Sequence, residues 1–161
     1  MNNKENTVLR KKAIDYLSRR EHSRWELKQK LIAKNFSDFS NADDADIEKI
    51  LDQLIQDNLQ SDVRFAESYV RYRKQAGFGP NRIKLELRER GVASVLIDDV
   101  LDVHASEWQT QMKNVWQKKF LNPSKNQAEK AAQFRFLLYR GYTSEAIKAL
   151  LFSNLTSTSI R

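Results

Sequence analysis

The chain of 161 residues has no cysteine, four glycines and two prolines, and each shortage removes a class of protein. Without cysteine there are no disulfides, no thiolate nucleophile and no Cys-ligated metal, which suits a reducing compartment. So little Gly and Pro argues against a β protein, whose many turns consume both residues. Neither of the two histidines, His22 and His104, belongs to a His/Cys/Asp cluster with metal-ligand spacing. There is no Walker-type phosphate loop and no serine in an elbow context. No apolar run is long enough for a signal peptide or a membrane span. A cytoplasmic protein without catalytic activity, cofactor, metal or membrane partner is the expectation.

What is present is charge and helical periodicity. Aromatic residues make up 10% of the chain, too many for a disordered polymer, so a core is expected. The net charge of +7 is unevenly placed. Residues 1–58 hold 11 basic and 11 acidic side chains, residues 59–104 hold 8 and 7, and residues 105–161 hold 9 and 3. Residues 71–90 carry seven basic against two acidic, and 113–140 carry seven against one. Between Asp38 and Asp57 the balance inverts, with seven acidic residues and one lysine. Such polarity points to a polyanion or acidic surface at one end of the chain.

Apolar residues recur at spacings of three and four, as in Ile47, Ile50, Leu51 and Leu54, or Phe134, Leu137 and Leu138. The pattern predicts nine helices over 8–20, 23–34, 43–57, 61–76, 80–90, 94–104, 105–120, 125–139 and 143–153. Ser23 to Glu26 and Ser124 to Gln127 read as capping boxes, and Ser61 and Thr143 as N-caps. Pro80 after Gly79 suits a first helical position.

The helices repeat in threes. Asn35, Gly91 and Gly141, each able to turn left-handed, end the second helix of each triplet. Each precedes an apolar residue (Phe36, Val92, Tyr142) and follows one four positions upstream (Leu31, Leu87, Leu137). Ile97 and Val100 follow Gly91 at the same offsets at which Ile147 and Leu150 follow Gly141. The first copy has Ile47 and Ile50 after an insertion containing Asp38, Ser40 and Asn41. The fold class is therefore all-α, three tandem three-helix repeats forming an elongated, curved array. The repeats span 1–58 (acidic insert 37–46), 59–104 and 105–153, followed by a disordered tail, 154–161.

Several motifs invite a chemical reading and are better explained by structure. Gly77-Phe78-Gly79-Pro80 lacks the third glycine and the preceding strand of a phosphate loop, and Pro80 removes an amide. It reads as a tight turn, with Arg82 and Lys84 beside a helix start where an anion could be held. Asp43, Asp44, Asp46 and Glu48 lack the glycine and final glutamate of a calcium loop and suit a helix N-terminus. Arg90-Gly91-Val92-Ala93 resembles a helix-turn-helix, but the following helix carries Asp98, Asp99 and Asp102, which phosphates would repel. Sequence-specific readout is disfavoured. The positive charge lies instead on first and second helices. The candidate contacts are Arg71, Arg73, Lys74, Arg82, Lys84, Arg88, Arg90, Lys118, Lys119, Arg135 and Arg140. The turn positions are Asn35, Gly77, Gly79, Pro80, Gly91 and Gly141. Reversing Arg82, Lys84 and Arg88 is expected to impair binding without unfolding, and Gly91→Val to damage the fold.

Phe65-Ala66-x-x-Tyr69-Val70-x-x-Arg73 followed by Gly77-Phe78-Gly79-Pro80-x-Arg82-Ile83-x-x-Glu86-Leu87-x-x-x-Gly91-Val92 resembles the central signature of RecX regulatory proteins. Ser23-x-x-Glu26-Leu27-x-x-Lys30-Leu31 in the first copy and Arg135 to Tyr142 in the third extend the likeness to residues 8–153. The resemblance implies a modulator, usually an inhibitor, of the RecA recombinase in homologous recombination and DNA repair. It implies binding in the groove of the RecA–single-stranded DNA filament, with suppression of ATPase, strand exchange and coprotease activity. Filament growth would be blocked or disassembly promoted. The expected partners are RecA and single-stranded DNA, directly or through RecA, and the protein is expected to be a monomer. A sequence-nonspecific DNA-binding protein is the alternative.

Overall fold

The computed structural model describes residues 3–37 and 43–152. Among them the elements are α1 (Asn3–Arg19), α2 (Arg24–Ser37), α3 (Asp44–Gln56), α4 (Asp62–Gln75), α5 (Pro80–Glu89), α6 (Ser94–Val100), α7 (Glu107–Lys119), α8 (Gln127–Arg140) and α9 (Ser144–Phe152). No strand occurs among the described residues. Asp38, Ser40 and Asn41 of the acidic insert, the Phe36 side chain and the tail from 154 lie outside them.

The chain divides by contact into two compact units, one of Met1–Tyr69 with Leu87–Val100, the other of Val70–Glu86 with Leu101–Arg161. The divide falls inside α4 and inside α5, so the central triplet contributes to both units.

In the first unit α1, α2 and α3 pack pairwise. Their apolar stripes bury Leu9, Ala13, Leu27, Leu31, Ile47, Ile50, Leu51 and Leu54 in one core. Burying a leucine of this kind stabilises the fold by about 2 kcal/mol. The N-terminus of α2 is held on two sides. Ser23 Oγ accepts from Glu26 N and donates to Arg90 O, while Asp62 accepts from Arg24 N. The reciprocal half of the expected capping box is absent, because the Glu26 carboxylate pairs with Arg20 and Arg90 instead. The complete box lies at α3, where Asp43 and Asp46 cap each other's backbone.

The second unit is built more openly. Helix α9 lies on α8, but α7 and α9 leave between them a cavity of about 310 Å³ lined by Met112, Ala146 and Leu150. The turns 77–80 and 141–142 meet backbone to backbone, with Gly79 N donating to Arg140 O and Asn81 N to Gly141 O. A β-carbon on Gly79 would lie 2.5 Å from the Gly141 carbonyl carbon, so no side chain fits there. Tyr142 is buried beside this junction, and its hydroxyl donates to Gly77 O. Burial raises its pKa far above the ordinary phenol value, which keeps that donor protonated.

Four helices end in one hydrogen-bond pattern, in which a left-handed residue bonds three back and its successor five back. The left-handed residues are Asn58, Gly77, Gly91 and Gly141. Asn35 is not a turn residue: it lies inside α2, which runs on to Ser37. In the first triplet the left-handed stop is at the end of the third helix, on Asn58, and not at the end of the second. Three further boundaries move. Asn126, not Ser124, caps α8 by accepting from Glu129 N. Helix α1 begins at Asn3, in a polar segment with no apolar side chain to mark a period. Helix α6 stops at Val100, because the Asp102 carbonyl accepts from Trp108 Nε1 and from Ala105 N, folding 102–105 as a turn.

Candidate nucleic-acid interface

The eleven cations singled out in the sequence separate into two kinds. Arg73 is structural. Its guanidinium makes a two-pronged ion pair with Glu86 at 2.8 and 2.6 Å and lies 3.7 Å from the Phe78 ring centre. Arg82 shares the same carboxylate at 3.0 Å, donates to Tyr139 O and stacks on both Phe78 and Tyr139. Interaction with the Tyr139 side chain, and next with Glu86, raises its pKa, so it stays charged. Arg140 completes the cluster 4.8 Å from Phe78, with Nη1 donating to Ala76 O. Three guanidinium groups thus surround one aromatic ring, with a single carboxylate between two of them. Cation–π attraction and the Glu86 pair hold them in place.

Lys74 is engaged as well, pairing with Glu107 at 2.8 Å above the Trp108 ring. In the first unit Arg90 pairs with Glu26 and lies 4.7 Å from the Tyr69 ring. Lys84 is half-buried and carries interactions of its own. Reversing Arg82 therefore breaks the Phe78 cluster, and the Arg82, Lys84, Arg88 set does not separate binding from folding.

The second kind is exposed and uncommitted. Arg71, Lys118 and Arg135 in the second unit and Arg88 in the first are exposed. Lys119 is exposed too, with its Nζ 5.9 Å from the Phe136 ring. None of the five forms an ion pair among the described residues.

The turn residues serve the same frame. Gly77, Gly91 and Gly141 hold positive φ, and Pro80 opens α5. A β-carbon on Gly91 would come within 2.5 Å of Trp25 Cβ, adding a clash to the strain of a β-branched residue at that φ.

Phe78, Glu86, Phe136 and Tyr139 were not legible as site residues. The only trace was their interleaving with arginine, which an ordinary amphipathic helix also shows. Tyr139 stands 73% exposed under Arg82, a presented ring beside a fixed charge.

His22 is buried with its ring nitrogen against Arg20 O, and burial lowers its pKa. No group of three or more His, Cys, Asp or Glu able to hold a metal occurs among the described residues, and no described helix is long and apolar enough to cross a membrane.

Comparison with known proteins gives one consistent match. Family models for the RecX first, second and third three-helix domains match residues 10–54, 61–101 and 106–151 in that order. The regulatory protein RecX of Ectopseudomonas mendocina (strain ymp) is 42% identical over 145 residues, covering 89% of this chain and 93% of that protein. The one of Pseudomonas putida (strain GB-1) is 40% identical and covers 89% of each. Among solved structures, RecX from Lactobacillus salivarius is similar with a TM-score of 0.74 at 22% identity, covering 93% of this chain and 96% of that one.

Proposed function

The chain belongs to the RecX family of regulatory proteins, and on that premise we propose that it binds the RecA–single-stranded DNA filament and inhibits it. Inhibition covers the ATPase, recombinase and coprotease activities and proceeds by blocking filament growth or promoting disassembly. The protein acts as a cytoplasmic monomer, by binding and without catalysis. The observation that carries this reading is the second unit's surplus of uncommitted cations. Its described residues hold thirteen basic side chains against five acidic ones. A filament of protein and DNA offers both phosphates and acidic protein surface to such a face.

The test is RecA ATPase on single-stranded DNA with increasing amounts of this protein. Inhibition at near-stoichiometric ratios is expected, and its absence overturns the reading. The second reading, a nonspecific DNA-binding protein, is favoured by the same cations. It requires naked DNA to be bound as tightly as RecA-coated DNA, with affinity falling steeply as salt rises.

A further inference from the structure

Within the second unit, the C-terminal end of α4, helix α7 and helix α8 line an open surface cavity of about 290 Å³. Three cations, Lys118, Lys119 and Arg140, line it, and no carboxylate does. Of the unit's five carboxylates, Glu86 is committed to Arg73 and Arg82, Glu107 to Lys74, Glu129 to the start of α8 and Asp102 to His104 N, and Glu145 does not line this hollow. Lys118 has no ion pair or hydrogen-bond partner among the described residues. Arg140 is fixed by its bond to Ala76 O and by the Phe78 and Phe136 rings. Phe136 is itself held edge-on against Phe120, at 5.3 Å between ring centres. Gly77 keeps the space open, since a β-carbon there would press on Val115 at 3.1 Å and on Arg140 Nη1 at 3.3 Å.

Three like charges converging on a hollow repel one another, and no carboxylate in its lining offsets that repulsion. A bound anion would offset it. We infer that the cavity takes a backbone phosphate of single-stranded DNA, with a neighbouring base stacked on Tyr139. Lysines bind phosphate and carboxylate alike as point charges, so one further feature favours a nucleic acid over an acidic peptide. Next in sequence to Arg140, and linked to it through the Arg82 and Phe78 stack, stands the exposed ring of Tyr139. Such a ring accepts a base of any identity, but only one that is out of a duplex stack. The inference takes from the proposed function only that a single strand is among the partners.

The experiment is binding of a fluorescent oligo-dT of about 30 nucleotides to the full-length chain without RecA. The variants are Lys118→Glu/Lys119→Glu, Tyr139→Ala and, as a control in the first unit, Lys11→Glu/Lys49→Glu. Far-ultraviolet circular dichroism checks that each is folded. The cavity pair is expected to lose at least tenfold in affinity, with a shallower dependence on salt. Tyr139→Ala is expected to lose about five- to tenfold, as for one stacked base, and the control to stay within twofold. Equal losses in the cavity and control variants overturn the inference, as does equal affinity for a duplex of the same length. So does a cavity variant that loses RecA inhibition while binding oligo-dT normally, which assigns the cavity to an acidic protein surface. If oligo-dT binds through the cavity and RecA is not inhibited, the inference stands and the filament reading falls.

Discussion

The two units use nearly equal numbers of basic residues to opposite ends. The described part of the first holds fourteen basic and fifteen acidic side chains, and the second holds thirteen and five. In the first, charge is spent internally. Arg24 reaches Glu48 and Asp52, Lys28 reaches Glu48 and Asp44, Arg64 reaches Glu21, and Arg10 reaches Asp57. The Lys28 bond, more than the Arg24 bond, holds Glu48 below its ordinary pKa, and Glu48 in turn raises that of Lys28. In the second unit Glu86 fixes Arg73 and Arg82 and Glu107 fixes Lys74, while Arg71, Lys118, Lys119 and Arg135 are exposed without an ion pair among the described residues. Charge that has no partner inside the fold is available to a partner outside it. Counting basic residues would not separate the units; counting the carboxylates within reach of them does.

Four changes test this contrast, from the largest effect to the smallest. The first concerns packing. Leu54→Ala empties a fully buried position of the closed first-unit core and is expected to cost about 2–5 kcal/mol in urea unfolding. Leu150→Ala, at the rim of the α7–α9 cavity, should cost about 1 kcal/mol or less, since that neighbourhood is already open. Equal costs would erase the distinction between a closed and an open bundle.

The second concerns Glu86. Its side chain is 13% exposed and that of Arg73 is 15% exposed, so Glu86→Ala leaves two guanidinium groups without their carboxylate. A loss of about 3 kcal/mol is expected from thermal or urea unfolding. No loss would mean that the Phe78 cluster is held by ring stacking alone.

The third is Lys118→Glu/Lys119→Glu/Arg135→Glu. Surface substitutions of this kind change stability by about 0.5 kcal/mol or less. Binding to the RecA–DNA filament, followed by fluorescence anisotropy, is expected to weaken at least tenfold.

The fourth and smallest is a pH effect confined to the first unit. The pKa of His22 is lowered in the folded protein, chiefly by burial, so the unfolded chain binds the proton more tightly. The stability associated with neutral His22 is complete above the unfolded value of about 6.5 and is lost as pH falls through it toward the lower folded value. The urea midpoint should therefore drop between pH 7.5 and 5.5 in the native chain and drop less in His22→Asn.

The helical class and the threefold repetition were legible because both rest on apolar spacing, which the core preserves. The glycine turns at 91 and 141 were legible because few other residues adopt their φ. Asn35 misled for the same reason in reverse. Asparagine only tolerates the left-handed region, so its presence does not stop a helix, and the stop lay at Asn58. The division into two units could not be read, because it depends on which halves of α4 and α5 pack with which neighbours. The site was half legible. Clustering of basic residues was visible along the chain, but the carboxylate and rings that neutralise Arg73, Arg82 and Arg140 come from α5, the 77–79 turn and α8. Only folding brings them together.

On the proposed division of labour, the second unit's uncommitted cations carry the binding while the first unit's paired cations serve the fold. The half-inhibitory concentration for RecA ATPase on single-stranded DNA tests it most directly, comparing the native chain with Lys118→Glu/Lys119→Glu/Arg135→Glu and with Lys11→Glu/Lys49→Glu. At least a tenfold rise is expected for the second-unit reversal and less than twofold for the first. Equal rises, or a larger one for the first-unit reversal, would contradict it.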